Sequence, residues 1–243
     1  MTLLRPLPLG RVLGIPVRLH TSWFAGLLLF AAFSHQVWAP RLTGPAAVLL
    51  SVAFTVAFFA CVLAHELAHA LAARVLGVAT AEITLFVFGG VARILAEPPG
   101  PGGEALLAMA GPLASVCLAG LLALAGRLAS GWPADLLDLL FVGNLVVAAF
   151  NLLPGFPLDG GRVARAVVWR LTGRRLLATR VTAWAGRALA GLLVAGGAAA
   201  LAWWHSPRYL LHVALGVFLW RAAAAGERAA RRDDLLAARR RSG

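Results

Sequence analysis

Long runs of apolar residues, separated by short stretches that carry arginine and proline, dominate the pattern along the chain. A helix that crosses a bilayer needs about 20 mainly apolar residues, and most of the runs reach that length. The last run is the weakest candidate, because it is long enough to cross a membrane only if the alanines that follow Arg221 are included. The pattern predicts an all-α polytopic membrane protein with about six transmembrane helices. The predicted segments are Thr21–Trp38, Leu42–Ala64 (with its helix continuing to Leu76), Glu104–Arg127, Asp138–Asp159, Val181–Trp204 and Arg208–Arg221.

One stretch, residues 79–95, departs from the helical pattern. Its sequence, ATAEITLFVFGGVARIL, is rich in β-branched and aromatic residues and contains Gly89-Gly90. Two short strands about a glycine turn are therefore predicted, as a small β-hairpin near the cytoplasmic membrane face. The alternative is an amphipathic helix that lies in the membrane interface. If the hairpin forms, the strand over Ile83–Phe88 is expected to have an unpaired edge to which an extended peptide can add.

The composition places the chain in a membrane, because 60% of its residues are hydrophobic and only 13% are charged. Soluble domains carry about 25% charged residues. The formal charge is +12 and every basic residue is an arginine. These arginines border apolar segments, which indicates a bias toward the cytoplasmic face and not a nucleic-acid-binding surface.

The distribution of arginines predicts that both termini are cytoplasmic and that the protein lies in the cell membrane. With the N-terminus inside, the outer loops carry only Arg41, Arg127 and Arg208. The cytoplasmic set is Arg5, Arg11, Arg18, Arg74, Arg162, Arg165, Arg170, Arg174, Arg175, Arg180 and the tail from Arg221.

The predicted organisation is a cytoplasmic segment (1–20), a membrane domain (21–225, with its core at about 45–162) and a basic cytoplasmic tail (226–243). Residues 1–20 lack the short apolar core and small-residue cleavage site of a signal peptide, so a retained cytoplasmic segment is expected. Cys61 and Cys117 both lie in apolar runs, so no disulfide framework is expected.

Three ionisable side chains interrupt one of the most apolar stretches, in the motif HELAH at residues 65–69. An ionisable group near a bilayer centre costs on the order of 3 kcal/mol, so each needs a partner. His65 and His69 are four residues apart and share one face of a helix, where two imidazoles can bind one zinc ion. Glu66 can then hold a water molecule as a general base. The alternative is a helix whose polar residues face a bundle interior and are satisfied by neighbouring groups.

A hydrolytic zinc site usually has three protein ligands, so a third ligand is needed. Asp159 is the main candidate, and it is expected to close the fourth apolar segment, in NLLPGFPLDGGR at residues 151–162. Pro154 and Pro157 interrupt helical hydrogen bonding, and such backbone survives in lipid only where it lines a cavity or is buried in protein. Gly160-Gly161 allows a close approach of the chain just beyond the carboxylate. The alternative is an interfacial aspartate after ordinary proline kinks.

The paired motifs HELAH and NLLPGFPLDGG resemble those of the site-2 proteases, membrane-embedded zinc metalloproteases that cut transmembrane segments. The stretches GIPVRLHTSW (14–23), ITLFVFGGVARI (83–94) and AGPLAS (110–115) also match, so the resemblance covers about residues 10–222. It implies one Zn²⁺ held by His65, His69 and Asp159, with Glu66 as the base and Asn151 as a catalytic polar group near the substrate carbonyl. The most similar subgroup often carries C-terminal nucleotide-sensing repeats, which this sequence is expected to lack.

The resemblance implies a hydrolase that cuts peptide bonds within or near transmembrane segments, in regulated intramembrane proteolysis. The implied partners are the lipid bilayer and a protein with a transmembrane segment, such as an anti-sigma factor or a similar single-span protein. Nucleic acid is not an expected partner. Two other classes stay open: a membrane zinc-binding or zinc-transport protein, and an inactive protease-like protein that holds a membrane client. A transporter would need ionisable residues along a path to the outer face, and intact Glu66 argues against an inactive protein.

Overall fold

The computed structural model describes residues 6–40, 42 and 44–242, most of which are helical. The helices are α1 (Ser22–Trp38), α2 (Pro45–Val75), α3 (Gly100–Leu128), α4 (Trp132–Asn151), α5 (Asp159–Thr172), α6 (Arg175–Trp204) and α7 (Leu210–Ser242). Among the described residues, five helices are long and apolar enough to cross a membrane: α2, α3, α4, α6 and the part of α7 up to Arg232. Helix α1 coincides with the first predicted span and has 17 residues. The predicted helical, multi-pass membrane architecture is confirmed.

The predicted hairpin is present and forms half of a four-stranded sheet. The strands are β1 (Leu7–Val12), β2 (Ile15–Leu19), β3 (Thr80–Phe86) and β4 (Gly89–Ile94), and the sheet order follows the chain order. Strands β3 and β4 are antiparallel, whereas β2 and β3 are parallel. The interfacial-helix alternative for residues 79–95 is therefore wrong. The turn of the hairpin falls at residues 87 and 88, so the two glycines begin β4 and do not form the turn.

One expectation about this sheet is corrected. Residues 7–19 lie in the segment that is expected to be cytoplasmic, and they form β1 and β2, two strands that the sequence pattern did not predict. Since β2 pairs with β3, with Val17 opposite Ile83, the strand over Ile83–Phe86 lies inside the sheet and has no free edge. Along the described residues, β4 pairs with β3 alone, so the accessible edge on this side belongs to β4.

The fourth predicted segment is also corrected. Helix α4 begins at Trp132 and ends at Asn151, so Asp159 does not close it. The backbone break predicted from Pro154 and Pro157 is present as a short loop, after which Asp159 begins the separate helix α5. That helix ends at Thr172 and is capped by Gly173, whose left-handed conformation (φ 66°) suits glycine at this position. The arginine-rich sequence of α5 contains no long apolar run, so the hydrophobic pattern does not predict this helix.

The chain divides into two compact units, of which the first comprises residues 1–98 and 110–149. Its core is built on α2, where Phe54, Phe58 and Val62 pack with Leu85 of β3 and Leu140 of α4. Helix α2 also packs against both β3 and β4. The sheet is thus held against the same helix that carries the HELAH motif.

The second unit comprises residues 99–109 and 150–243. Its core includes Leu158, Ala190 of α6 and Leu219 of α7. The buried carboxylate of Glu104, near the start of α3, accepts a hydrogen bond from the Nε of Arg165 on α5 at 2.7 Å. Separation of α5 from the start of α3 would leave the buried carboxylate of Glu104 without this partner, and an unpaired buried charge is strongly destabilising. The ion pair therefore holds these two segments together.

The arginines used for the orientation include Arg5 and Arg41, which lie outside the described residues. The cytoplasmic location of the termini and the domain bounds at residues 20 and 225 stay predictions. The segment after residue 225 continues α7 as a helix to Ser242.

Candidate metal centre

Helix α2 brings the two histidines of the HELAH motif together inside the first unit. His65 and His69 are 4% and 5% exposed. Their Nε2 atoms lie 3.2 Å apart, and their rings meet edge to face. This arrangement is a direct consequence of the four-residue spacing, which stacks the two side chains one turn apart.

The distance between these two nitrogens fits a shared metal ion. Two imidazole nitrogens bound to zinc at about 2.0–2.1 Å in tetrahedral geometry lie roughly 3.3 Å apart, and the observed separation is 3.2 Å. The space in front of both Nε2 atoms is kept open by Gly111 of α3, since a Cβ at that position would overlap both. The donor chemistry and the open space both suit zinc.

Glu66, the middle residue of the motif, is positioned by the sheet. Its Oε2 accepts a hydrogen bond from the backbone N–H of Ala92 on β4 at 3.0 Å. A Cβ at Gly90 would overlap the Cγ of Glu66, so glycine at this position lets β4 lie directly against the side chain. The glutamate therefore lies beside the accessible edge of β4.

Asp159 belongs to the second unit, where it is the first residue of α5 and is 8% exposed. The backbone before it is held by α6, since the N–H of Phe156 donates to the carbonyl of Thr182 at 3.0 Å. Side chains at Gly160 or Gly161 would overlap the backbone of residues 152–156. The predicted close approach beyond the carboxylate is thus confirmed.

Among the described residues, His65, His69 and Asp159 make up a group that could hold a metal ion. Cys61, one turn before His65, is not part of this group. Asn151 is the last residue of α4 and is half-buried, and its catalytic role stays a prediction.

Sequence reasoning assigned no role to several polar residues that are almost fully buried, among them Glu104, Ser115 and Asn144. The amide of Asn144 donates to the carbonyl of Leu140 at 2.8 Å, within its own helix. Ser115 contacts His65 directly. The sequence did offer a signal for such residues, namely a polar residue inside an apolar run. The run alone does not indicate which neighbouring group forms a hydrogen bond with that residue.

Comparison with known proteins identifies the family. The model of peptidase family M50 matches residues 53–132 and 126–196, which include every candidate site residue. The chain belongs to peptidase family M50. This M50 chain is similar to Rip3 of Mycobacterium tuberculosis, with 38% identity over 202 residues that make up 79% of this chain and 51% of Rip3.

Two further matches come from Methanocaldococcus jannaschii. A zinc metalloprotease of that organism is 32% identical over 197 residues, or 78% of this chain and 53% of the relative. The solved structure of a site-2 protease from the same organism superposes with a TM-score of 0.66 and 27% identity, covering 92% of this chain and 95% of that one. The resemblance to site-2 proteases is thus confirmed.

The M50 chain spans about half the length of the curated relatives it matches. The zinc metalloprotease relative and the His-His-Asp group together support Zn²⁺ as the cofactor of this chain.

Proposed function

We propose that this M50 chain is an intramembrane zinc metalloendopeptidase that hydrolyses peptide bonds within or next to transmembrane segments. The observation that carries the proposal is the arrangement on α2. Two buried imidazole nitrogens lie 3.2 Å apart, and the adjacent Glu66 carboxylate is held at the edge of a strand. A pair of metal ligands with a neighbouring base, beside a strand edge to which a peptide can add, is an arrangement suited to peptide hydrolysis.

The roles proposed for the site residues follow from their chemistry. His65, His69 and Asp159 would hold zinc, whose Lewis acidity makes water easier to deprotonate and polarises a peptide carbonyl. Glu66 takes a proton from the attacking water, whose oxygen bonds to the carbonyl carbon. When the C–N bond breaks, Glu66 gives the proton to the leaving nitrogen. The amide of Asn151 is proposed to donate a hydrogen bond to the carbonyl oxygen.

The proposed substrate is a single-span membrane protein such as an anti-sigma factor, cut in regulated intramembrane proteolysis. The proposed setting is the cytoplasmic membrane, with both termini on the cytoplasmic side. Support for this orientation comes from the arginines, which lie predominantly in segments that the positive-inside rule assigns to the cytoplasm.

The test is cleavage by the purified chain in detergent of labelled single-span proteins, with products mapped by mass spectrometry. We expect a cut within or next to the span, which stops when zinc is removed by a chelator and returns when zinc is added. A zinc-loaded chain that binds these proteins without cutting them would contradict the proposal and indicate a client-binding protein. Zinc flux through reconstituted vesicles without any cleavage would indicate a transporter.

We also propose that the substrate binds as an extended strand along β4. A transmembrane helix must unwind before hydrolysis, and its freed backbone groups need new partners because each unsatisfied group costs several kcal/mol. Strand β4 offers backbone groups on the side away from β3, and the N–H of Ala92 on that side already donates to Glu66. A segment that adds to this edge would therefore lie across the glutamate.

Proline at Ile94 tests this binding mode, since the N–H of alternate residues Gly90, Ala92 and Ile94 faces away from β3. We expect Ile94→Pro to reduce cleavage about fivefold, because one outward hydrogen bond contributes about 1 kcal/mol. Ile94→Ala keeps the N–H and should be much milder. Cleavage rates are compared at equal zinc content and thermal stability, and equal rates for the two variants would rule out strand addition at this position.

Proline at Val87 would not test this binding mode. Val87 lies in the turn, where its N–H donates to the Oγ of Ser22 at 3.3 Å. Proline there would disturb a contact within the fold and would not report on the edge of β4.

A further inference from the structure

Helix α3 presents two small residues to the histidine pair of α2. Gly111 and Ser115 are four residues apart, so they lie on the same face of α3. The Oγ of Ser115 lies 2.9 Å from the Nδ1 of His65, and the two residues are 2% and 4% exposed. Gly111 lies against the Nε2 atoms of both histidines. One face of α3 thus meets both nitrogens of the His65 ring.

The contact at Nδ1 bears on what Nε2 can do. A neutral imidazole carries its proton on one nitrogen and a lone pair on the other, and a hydrogen bond to one nitrogen selects the tautomer. A ring that donates from Nδ1 to the Ser115 oxygen presents the lone pair of Nε2 toward His69. Metal-binding histidines generally need this second contact, because it fixes both the tautomer and the orientation of the ring.

Gly111 contributes by the absence of a side chain. A Cβ at this position would overlap the Nε2 atoms of His65 and His69, so any other residue would fill the space that both nitrogens face. Helix α3 therefore leaves open the position at which the two lone pairs converge.

We propose that Ser115 is a positioning residue for zinc, which holds His65 in the Nδ1-protonated tautomer while Gly111 keeps the space before both Nε2 atoms free. This inference rests on the proposed role of His65 and His69 as ligands. It assigns a function to the motif AGPLAS, residues 110–115, that the sequence alone did not indicate.

Zinc affinity of the full chain in detergent, measured by competition with a chromophoric chelator, tests the role of Ser115. Loss of an outer-shell partner of a histidine ligand costs roughly 10- to 100-fold in metal affinity, and we expect a loss in that range for Ser115→Ala. Ser115→Thr keeps the hydroxyl and should restore most of the affinity. The melting temperature of the zinc-free protein should change little among these variants.

Ser51→Ala is a matched control. Ser51 is a buried serine of α2 whose hydroxyl donates to the carbonyl of Ala47 at 2.6 Å, so its removal deletes a buried hydroxyl that does not contact the histidines. We expect Ser51→Ala to bind zinc as tightly as the wild type. Equal losses of affinity in Ser51→Ala and Ser115→Ala would show a general structural effect and overturn the proposal.

The tautomer of His65 supplies a second readout that is independent of the folding of any variant. In the zinc-free wild type labelled with ¹⁵N-histidine, nuclear magnetic resonance should find the proton of His65 on Nδ1. A proton on Nε2 would overturn the proposal. If the wild type binds zinc tightly and Ser115→Ala binds it equally well, only the role of Ser115 fails. If the wild type binds no zinc, the assignment of the ligands itself fails.

Discussion

Replacement of Glu66 by glutamine is expected to abolish peptide cleavage while zinc remains bound. The amide of glutamine has the size and shape of the carboxylate, and its oxygen can still accept the N–H of Ala92. It cannot take a proton from water, and general base catalysis contributes about 10²- to 10⁴-fold to such reactions. A loss of that size in the single-turnover cleavage rate is therefore expected, with about one zinc per chain by elemental analysis.

Glu82→Gln is the matched control for this change. Glu82 lies on β3 and pairs with the Nε of Arg18 at 2.9 Å, so the same substitution there removes a partly exposed ion pair and no proposed catalytic group. We expect its cleavage rate to stay near that of the wild type. Cleavage at the wild-type rate by Glu66→Gln would show that the assigned base is wrong, and loss of zinc from Glu66→Gln would show that Glu66 is a ligand.

Removal of a proposed ligand should have the largest effect on metal binding. We expect His69→Ala and Asp159→Ala to weaken zinc binding by more than the 10- to 100-fold typical of an outer-shell partner, because a direct metal bond is lost. Both variants should lose cleavage together with zinc. Zinc content after purification and chelator competition measure the effect, alongside the melting temperature of each zinc-free protein.

His20→Ala is the control for the loss of an imidazole. The Nδ1 of His20 contacts the Oγ of Ser22 at 2.8 Å, and His20 does not belong to the metal-binding group of the described residues. Its substitution should leave the zinc content unchanged. A wild-type chain that contains no zinc after purification without chelators would end the metalloprotease interpretation, and wild-type affinity in Asp159→Ala would require a different third ligand.

The histidine pair could be predicted from the sequence because its geometry is local. Residues four apart on a helix must lie one turn apart, so His65 and His69 meet whatever surrounds α2. The hairpin of β3 and β4 was predictable for a similar reason, since its two strands are adjacent in the chain. The sequence pattern predicts Gly89 and Gly90 in the turn. In the structure Gly90 lies in β4, where the absence of a side chain lets the strand lie against Glu66.

The remaining strands were not predictable from the local pattern. Strand β2 pairs in parallel with β3, with Val17 opposite Ile83, and such a pairing joins segments that are distant in the chain. Nothing in residues 7–19 alone distinguishes a strand that finds this partner from an irregular segment. The pairing bears on the proposed substrate-binding mode, because it leaves the accessible edge of this side of the sheet on β4 and not on β3.

The break before Asp159 was correctly inferred from Pro154 and Pro157, which cannot continue a helix. The helix to which Asp159 belongs could not be inferred in the same way, because proline marks an interruption and does not indicate where the next helix begins. In the structure Asp159 starts α5, whose arginine at position 165 pairs with the buried Glu104 of α3. That long-range ion pair compensates a buried charge that the local sequence left unexplained.

The sequence by itself therefore determined the membrane setting, most of the long helices and the close approach of the two histidines of the HELAH motif, because hydrophobicity and helical periodicity act over short stretches. Tertiary structure alone decided which backbone group donates a hydrogen bond to Glu66 and which residue contacts the Nδ1 of His65. Ser115 lies 50 residues from that histidine in the chain, yet its Oγ lies 2.9 Å from the ring. Only the packing of α3 against α2 brings these two atoms together, and this long-range contact is the one that we propose fixes the orientation of the His65 ring.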